Sequence, residues 1–473
     1  MGNRRSAKQL IVCCLLLIGV GASAQRFSTK DARAYYDYGQ RLYTTAYQSC
    51  DASNIAVTLN TSNTLFSFLK TSRRNNTKGA YYAVRDITIE LRESPMGKVI
   101  DSKNFRDTIY AKNFEVTTTK EAWHTTVVSL NLDGQATGQK AEVHVEVRDG
   151  FLSRLAAAPR TMPIEIRPYH AQRAATGRDS SYLGVSDPVL VDSAVTIDRY
   201  LSQNFGANYE FSRDIAGLVE VCFDSVAPFT SADFTLYEVG KGNDTLRRTE
   251  RAKTSLGLAD LIRDMKLRLR STDDSLLSIN LVTAPEEKKI IGVMPFRLDG
   301  QKLEQGQYEL VIRLRAGDDT RTIKKRLTLD WHDMPISLED PRDAVAPLAH
   351  ITTDDEYNDL SSGSVEAIEQ KVKEFWAKRD PTPGTAYNEM MAEFYRRSDY
   401  SYFNFARSGK TLDGAITDRG KVYILFGPPS YIDRAFLLGE QPYEVWTYNN
   451  NVKRRFRFAI ESSDYKLIEV NNL

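Results

Sequence analysis

Residues 412–448 read LDGAITDRGKVYILFGPPSYIDRAFLLGEQPYEVWTY, and the fold of the C-terminal region turns on how this stretch is read. Asp413-Gly414 signals a turn. The apolar run Val422–Phe426 is short and has no polar interruption, so it reads as a strand. Gly427-Pro428-Pro429 stops it. Tyr443–Tyr448 reads as a second strand, with Arg455–Ile460 and Tyr465–Val470 after it. In the third of these, Phe456, Phe458 and Ile460 fall on one face, and Arg455, Arg457 and Ala459 on the other.

Two helices precede this stretch. The first starts at Ser364, with Val365, Ile368, Val372, Phe375 and Trp376 on one face. Glu366 lies in its first turn and Lys378-Arg379 in its last, matching the helix dipole. Asp380-Pro381-Thr382-Pro383-Gly384 breaks it. The second runs from about Thr385 to Phe405. Two helices on a small, mostly antiparallel sheet make an α+β unit over residues 360–473.

The segments FWAKRDPTPGTAYNE, FYRR, TDRGKVYILFGPP, YEVWTY and RFRFAI occur in that order. Together they resemble the GWxTD domain family of exported bacterial proteins, over roughly Leu360–Val470. The naming motif stands here as Gly414-Ala415-Ile416-Thr417-Asp418, with Ala415 in place of the tryptophan. The resemblance implies an envelope address and β modules ahead of the domain. It brings no reaction with it.

The N-terminus agrees with that address. Arg4, Arg5 and Lys8 precede the apolar run Leu10–Val20, and Ala22-Ser23-Ala24 follows, so residues 1–24 read as a secretory signal peptide. Their removal leaves 60 basic against 62 acidic side chains, a balance that points away from nucleic acid. No transmembrane segment is expected after cleavage. Export to the periplasm or cell surface permits a disulfide, but Cys50 and Cys222 have no spacing pattern and are expected as separate thiols, Cys222 buried in a strand.

Residues 25–50 are expected to hold a helix, Ser28–Tyr47, capped by Ser28-Thr29. Residues 51–168 and 189–333 read as two β-sandwich modules of immunoglobulin-like type. Ile87–Leu91 and Val143–Val147 alternate as half-buried strands in the first. Leu218–Phe223, Phe234–Val239, Ser278–Val282 and Tyr308–Arg315 are strand-like in the second, with one helical insertion at Leu256–Leu269. His144 is expected to face solvent on its strand. Residues 169–188 read as a linker. Residues 334–359 read as an extended, proline-bearing connector, with Asp354, Asp355, Glu356 and Asp359 on a solvated loop.

From Ile351 onward there is neither histidine nor cysteine. Cysteine and histidine nucleophiles and the usual zinc sets are therefore excluded there, and no metal or cofactor is expected. Asp380, Asp418 and Glu444 are the candidate acids. Brought together in a cleft, two of them suit a carboxylate-dependent hydrolase or lyase acting on an envelope glycan. Otherwise Arg379-Asp380 and Asp418-Arg419 brace loops as ion pairs. That second reading makes the chain a non-enzymatic binding or scaffold protein whose partner is another envelope protein or a glycan. Asp380, Thr417, Asp418, Arg419 and Trp446 are its candidate binding residues.

Overall fold

A computed structural model describes residues 42–473 apart from 51–53, 72–77, 119–121, 133–134, 136–137, 167–182, 197, 203–207, 225–228, 241–246, 273–275, 285–288, 332, 408–412, 437–440, 450–451 and 463. The expected signal peptide and most of the expected 169–188 linker lie outside these residues. By compactness the chain divides into two units, Tyr36–Trp331 and His332–Leu473. The whole is a β-rich, multidomain fold with its longer helices at the C-terminal end. Among the described residues no helix is long and apolar enough to cross a membrane.

The residues expected to form two β modules fall together in the Tyr36–Trp331 unit. In the first, Leu42–Gln48, Asn54–Ser62 and Trp123–Asn131 form a three-stranded antiparallel sheet. A second sheet is built on Tyr81–Arg92 and Lys140–Asp149. Alternating aliphatics from both, Ile55, Val57 and Leu59 with Ile87, Ile89, Val143 and Val145, share one buried core, which is what period-2 patterning on both sheets demands. His144 is half-buried on its strand and lies near the Thr161 hydroxyl. Three further sheets make the second module, and the expected strands of both modules are present.

Three expectations for this unit are corrected. Leu42–Gln48, the described end of the expected Ser28–Tyr47 helix, is a strand paired with Asn54–Ser62. Its Tyr43, Thr44, Thr45 and Tyr47 favour extended backbone. Leu256–Leu269 contains no α-helix: it comprises a strand end, a 3-10 turn and two further strands. The spacing of its leucines suits a helix, but cross-strand pairing of Met265–Ser271 with Leu277–Thr283 prevails. Third, Cys50 and Cys222 are joined in a disulfide across a sequence separation of 172, with Cα atoms 5.9 Å apart. Spacing along the chain carries no information about such a bridge: Cys50 follows Leu42–Gln48 and Cys222 lies in Ile215–Asp224, strands of different sheets.

The disulfide has a polar companion. Glu220, two residues before Cys222 on the same strand, is 1% exposed. It accepts hydrogen bonds from the Ser49 hydroxyl, from the Cys50 N–H (3.2 Å) and from the Leu267 N–H (2.6 Å). The segment following Leu42–Gln48 is thus tied to the strand Ile215–Asp224 by one covalent bond and two donors, Ser49 and Cys50, while Leu267 supplies the third donor from a neighbouring strand.

In the His332–Leu473 unit, the region expected as an extended connector is helical. Asp340 caps the helix Pro341–Val345, with proline in its first turn. Thr353 and Glu356 form a capping box on Asp354–Leu360, so the acidic cluster is a helix N-terminus. Ile336, Ala344, Val345 and Leu348 are buried with Trp376, Phe394 and Tyr395 in one core. Asp399 fixes this segment by accepting the Ile336 and Ser337 N–H groups at 2.6 and 3.1 Å. The helices Val365–Ala377, capped by Ser364, and Glu389–Asn404, capped by Asn388, match expectation.

Val422–Phe426 is not a strand. It completes the helix Asp418–Phe426, whose N-cap Thr417 accepts the Gly420 N–H at 3.1 Å. The cap decides a run too short for periodicity to decide. The sheet's first strand is instead Tyr431–Ala435, paired with Tyr443–Tyr448, and Arg454–Glu461 and Asp464–Asn472 complete an antiparallel order. Between Arg457 and Phe458 the register slips. Phe456, Phe458 and Ala459 are therefore all buried while Ile460 is half-buried, a break in strict alternation that a bulge produces.

Candidate functional site

The helix Asp418–Phe426 lies on the inner face of this sheet, where Val422 packs with Trp446, Tyr448, Phe456 and Phe458. Its first turn carries the polar groups. Asp418 accepts the Leu467 N–H at 2.8 Å, which fastens the helix start to the last strand. Arg419 turns inward, its side chain 13% exposed. Its guanidinium lies 3.4 Å from the Tyr465 ring centre and 5.1 Å from that of Phe405, a cation–π sandwich. Burial lowers its pKa, while Glu444 and Tyr465 oppose that shift.

Glu444 is the centre of the cluster. It is 1% exposed. Oε2 accepts from Arg434 Nε at 2.6 Å and Oε1 from Trp446 Nε1 at 2.7 Å, with Arg419 Nη1 3.7 Å from Oε1. Strand register explains the meeting: Arg434 is cross-strand from Glu444, and Trp446 follows it two residues later on the same face. The Glu444 carboxylate raises the Arg434 pKa. Burial, two guanidiniums and an indole N–H together keep this carboxylate from solvent. Trp446 is 1% exposed and packs against Phe405 and Phe458 at ring-centre distances of 5.3 and 5.1 Å. It is a core residue with its one donor satisfied.

The loop bearing the GAITD motif is built on close backbone contact. A Cβ on Gly414 would lie 1.9 Å from the Ser401 carbonyl oxygen, and one on Gly420 2.0 Å from that of Gly414. Only glycine permits either approach. Ala415 is fully buried in the helical core, and its carbonyl accepts from His350 Nε2 at 2.7 Å. His350 precedes the histidine-free segment by one residue, so a domain cut at 351 hides it. Burial pushes its pKa down to about 4, with Lys421 adding to the effect and the Ala415 carbonyl opposing it. Asp413, which accepts from Arg407 N at 2.9 Å and Nε at 2.7 Å, is a second residue missed from sequence.

Asp380 is elsewhere. Its Oδ1 accepts the Thr382 N–H at 2.8 Å, an Asx turn. Arg379 does not pair with it, but donates to the Phe375 carbonyl and stacks on that ring at 3.6 Å. The structure thus brings Arg419, Glu444 and Trp446 together, joins Thr417 and Asp418 to them through one helix turn, and leaves Asp380 in a separate loop. Among the described residues no group of His, Cys, Asp and Glu is arranged to hold a metal ion.

No curated protein sequence matches the chain. A crystal structure of red sea bream transglutaminase is matched at 11% identity and TM-score 0.19, covering 64% of this chain and 34% of that one. A family 123 glycoside hydrolase from Clostridium perfringens is matched at 10% identity and TM-score 0.14, covering 26% of this chain and 22% of that one. The chain spans about a third of the transglutaminase's length, and at these TM-scores neither likeness bears on fold or activity. Residues 317–471 match the GWxTD domain, a span that includes the helical segment before Leu360, and over these residues the chain carries a domain of that family.

Proposed function

We propose that the chain is an exported, non-enzymatic binding or scaffold protein of the bacterial cell envelope. In this reading two immunoglobulin-like β-sandwich modules space or present the C-terminal GWxTD module, whose partner is an envelope protein or a glycan. The observation that carries it is the state of the three candidate acids. Glu444 is enclosed by Arg434, Arg419 and Trp446, Asp418 holds a strand amide, and Asp380 closes a turn. Paired-carboxylate hydrolysis needs two acids facing one cleft, roughly 5–10 Å apart. These three have structural partners in its place. The Cys50–Cys222 disulfide supports an oxidising compartment, as export requires.

Affinity capture from envelope extracts tests the proposal. The full chain is expected to enrich a defined partner. An Arg419→Ala chain, with its module loosened, is expected to enrich less. Capture that never rises above a mock column sinks the binding reading.

A further inference from the structure

The helix Asp418–Phe426 and its aromatic neighbours cover the inner face of the C-terminal sheet. On the outer face, register aligns Tyr431, Thr447, Arg455 and Asn471 in one row across the strands. Two positions along lies a second row, Asp433, Val445, Arg457 and Glu469. The rows differ in charge. The first offers hydroxyl, amide and guanidinium donors with no carboxylate, and the second sets one cation between two carboxylates. A groove of about 390 Å³ is lined by Asp433, Val445, Arg455, Arg457, Glu469 and Asn471.

Part of this lining is held in place. Arg457 stacks 3.8 Å from the Tyr443 ring centre and lies 3.6 Å from Glu469. Asn471 Nδ2 donates to Glu469 Oε1 at 2.9 Å. The Nε of Arg457 is buried and has no acceptor. Arg455 is exposed, and among the described residues it has no hydrogen-bond or ion-pair partner. An uncommitted guanidinium, a buried orphan N–H and fixed acceptors around one concavity form a set of convergent polar groups awaiting a ligand with both acceptors and donors.

We infer that this groove binds an acidic saccharide, its carboxylate on Arg455 and its hydroxyls shared among Asp433, Glu469 and Asn471. The inference rests on the non-enzymatic binding reading and names its ligand class. Arg455 presents a planar fork suited to a carboxylate. Asp433 and Glu469 offer acceptors to hydroxyls. The apolar lining is limited to Ala435, Val445 and the Tyr443 ring, on which Arg457 already stacks, whereas bound peptides need deeper apolar or aromatic pockets. The volume lies near the small end of ligand sites, fitting one or two sugar rings.

Isothermal titration calorimetry on the full chain tests this with digalacturonate, neutral digalactose and a tetraglutamate peptide, for the native protein, Arg455→Ala and Arg455→Lys. Digalacturonate is expected to bind about tenfold or more tighter than either other probe. Arg455→Ala is expected to abolish that margin, and Arg455→Lys to restore only part of it because the fork is lost. Circular dichroism checks that both variants stay folded. No digalacturonate binding, equal binding of the neutral sugar, tighter binding of the peptide, or an unaffected Arg455→Ala each overturn the inference. Chromatography of the recovered sugar keeps the two readings apart. Cleavage with Arg455-dependent binding supports the groove and sinks the non-enzymatic reading. A captured envelope protein with no sugar binding sinks the groove alone.

Discussion

Glu220 and Glu444 are both about 1% exposed, one in each unit, and they are accommodated in opposite ways. Glu444 is enclosed by two arginines and an indole N–H. Glu220 has hydroxyl and amide donors and, among its hydrogen-bond partners, no cation. Desolvation therefore raises the Glu220 pKa, though its donors resist the shift. A carboxylate buried with guanidiniums makes each partner dependent on the other. One buried among neutral donors depends on pH and on whatever holds those donors still.

The largest effect expected from breaking this contrast is at Glu444. Glu444→Ala strands Arg419 in a site it cannot leave, which costs about 3–5 kcal/mol. The check is urea unfolding followed by hydrogen exchange in the C-terminal unit. A double-mutant cycle with Arg419→Ala should be strongly non-additive. Next is the disulfide beside Glu220. Replacing both Cys50 and Cys222 by serine should cost about 2–5 kcal/mol and lower amide protection across Leu42–Gln48, leaving the C-terminal unit unchanged.

Acidification should act on both units. Burial lowers the pKa of His124 and of His350 to about 4, with Arg85 adding to the effect at His124. Each folded unit therefore binds fewer protons than its unfolded chain between that value and about 6.5. The stabilisation is complete above the upper value and is lost as pH falls toward the lower one, by up to about 3 kcal/mol for each histidine. Unfolding midpoints measured across that window, with His124→Gln and His350→Gln flattening them, provide the test.

The smallest effect belongs to Glu220→Gln, about 1 kcal/mol at acid pH. Because the folded carboxyl keeps its proton where the unfolded one has lost it, native stability falls as pH rises through the raised value. The glutamine chain should lack that decline, so its stability should rise relative to the native protein as pH increases. Parallel pH curves would remove the distinction drawn between the two glutamates.

Much of this was legible where one physical rule acts alone. Alternation located Ile87–Leu91 and Val143–Val147, the start at Ser364 located the first long helix, and the proline-bearing break before Thr385 located the second to within a few residues. Misreadings arose where two rules compete. Val422–Phe426 is apolar enough for a strand, but Thr417 and Asp418 start a helix in front of it. The prolines and acids of residues 334–359 suggest extension, yet Asp340-Pro341 and Thr353–Glu356 are helix starts. At the site, Thr417, Asp418, Arg419 and Trp446 were named together with Asp380, which lies in a separate turn, whereas the burial of Glu444 and the reach of His350 depend on contacts that no local pattern encodes.

Gly414 and Gly420 have a consequence for how the motif tolerates change. With no room for a methyl at either position and ample neighbours around position 415, the loop's shape is stored in its two missing side chains. The residue that lends the family its W can shrink to a methyl and leave that shape standing, so a search template weighted on the glycines and the threonine cap would recover relatives that one weighted on the indole overlooks.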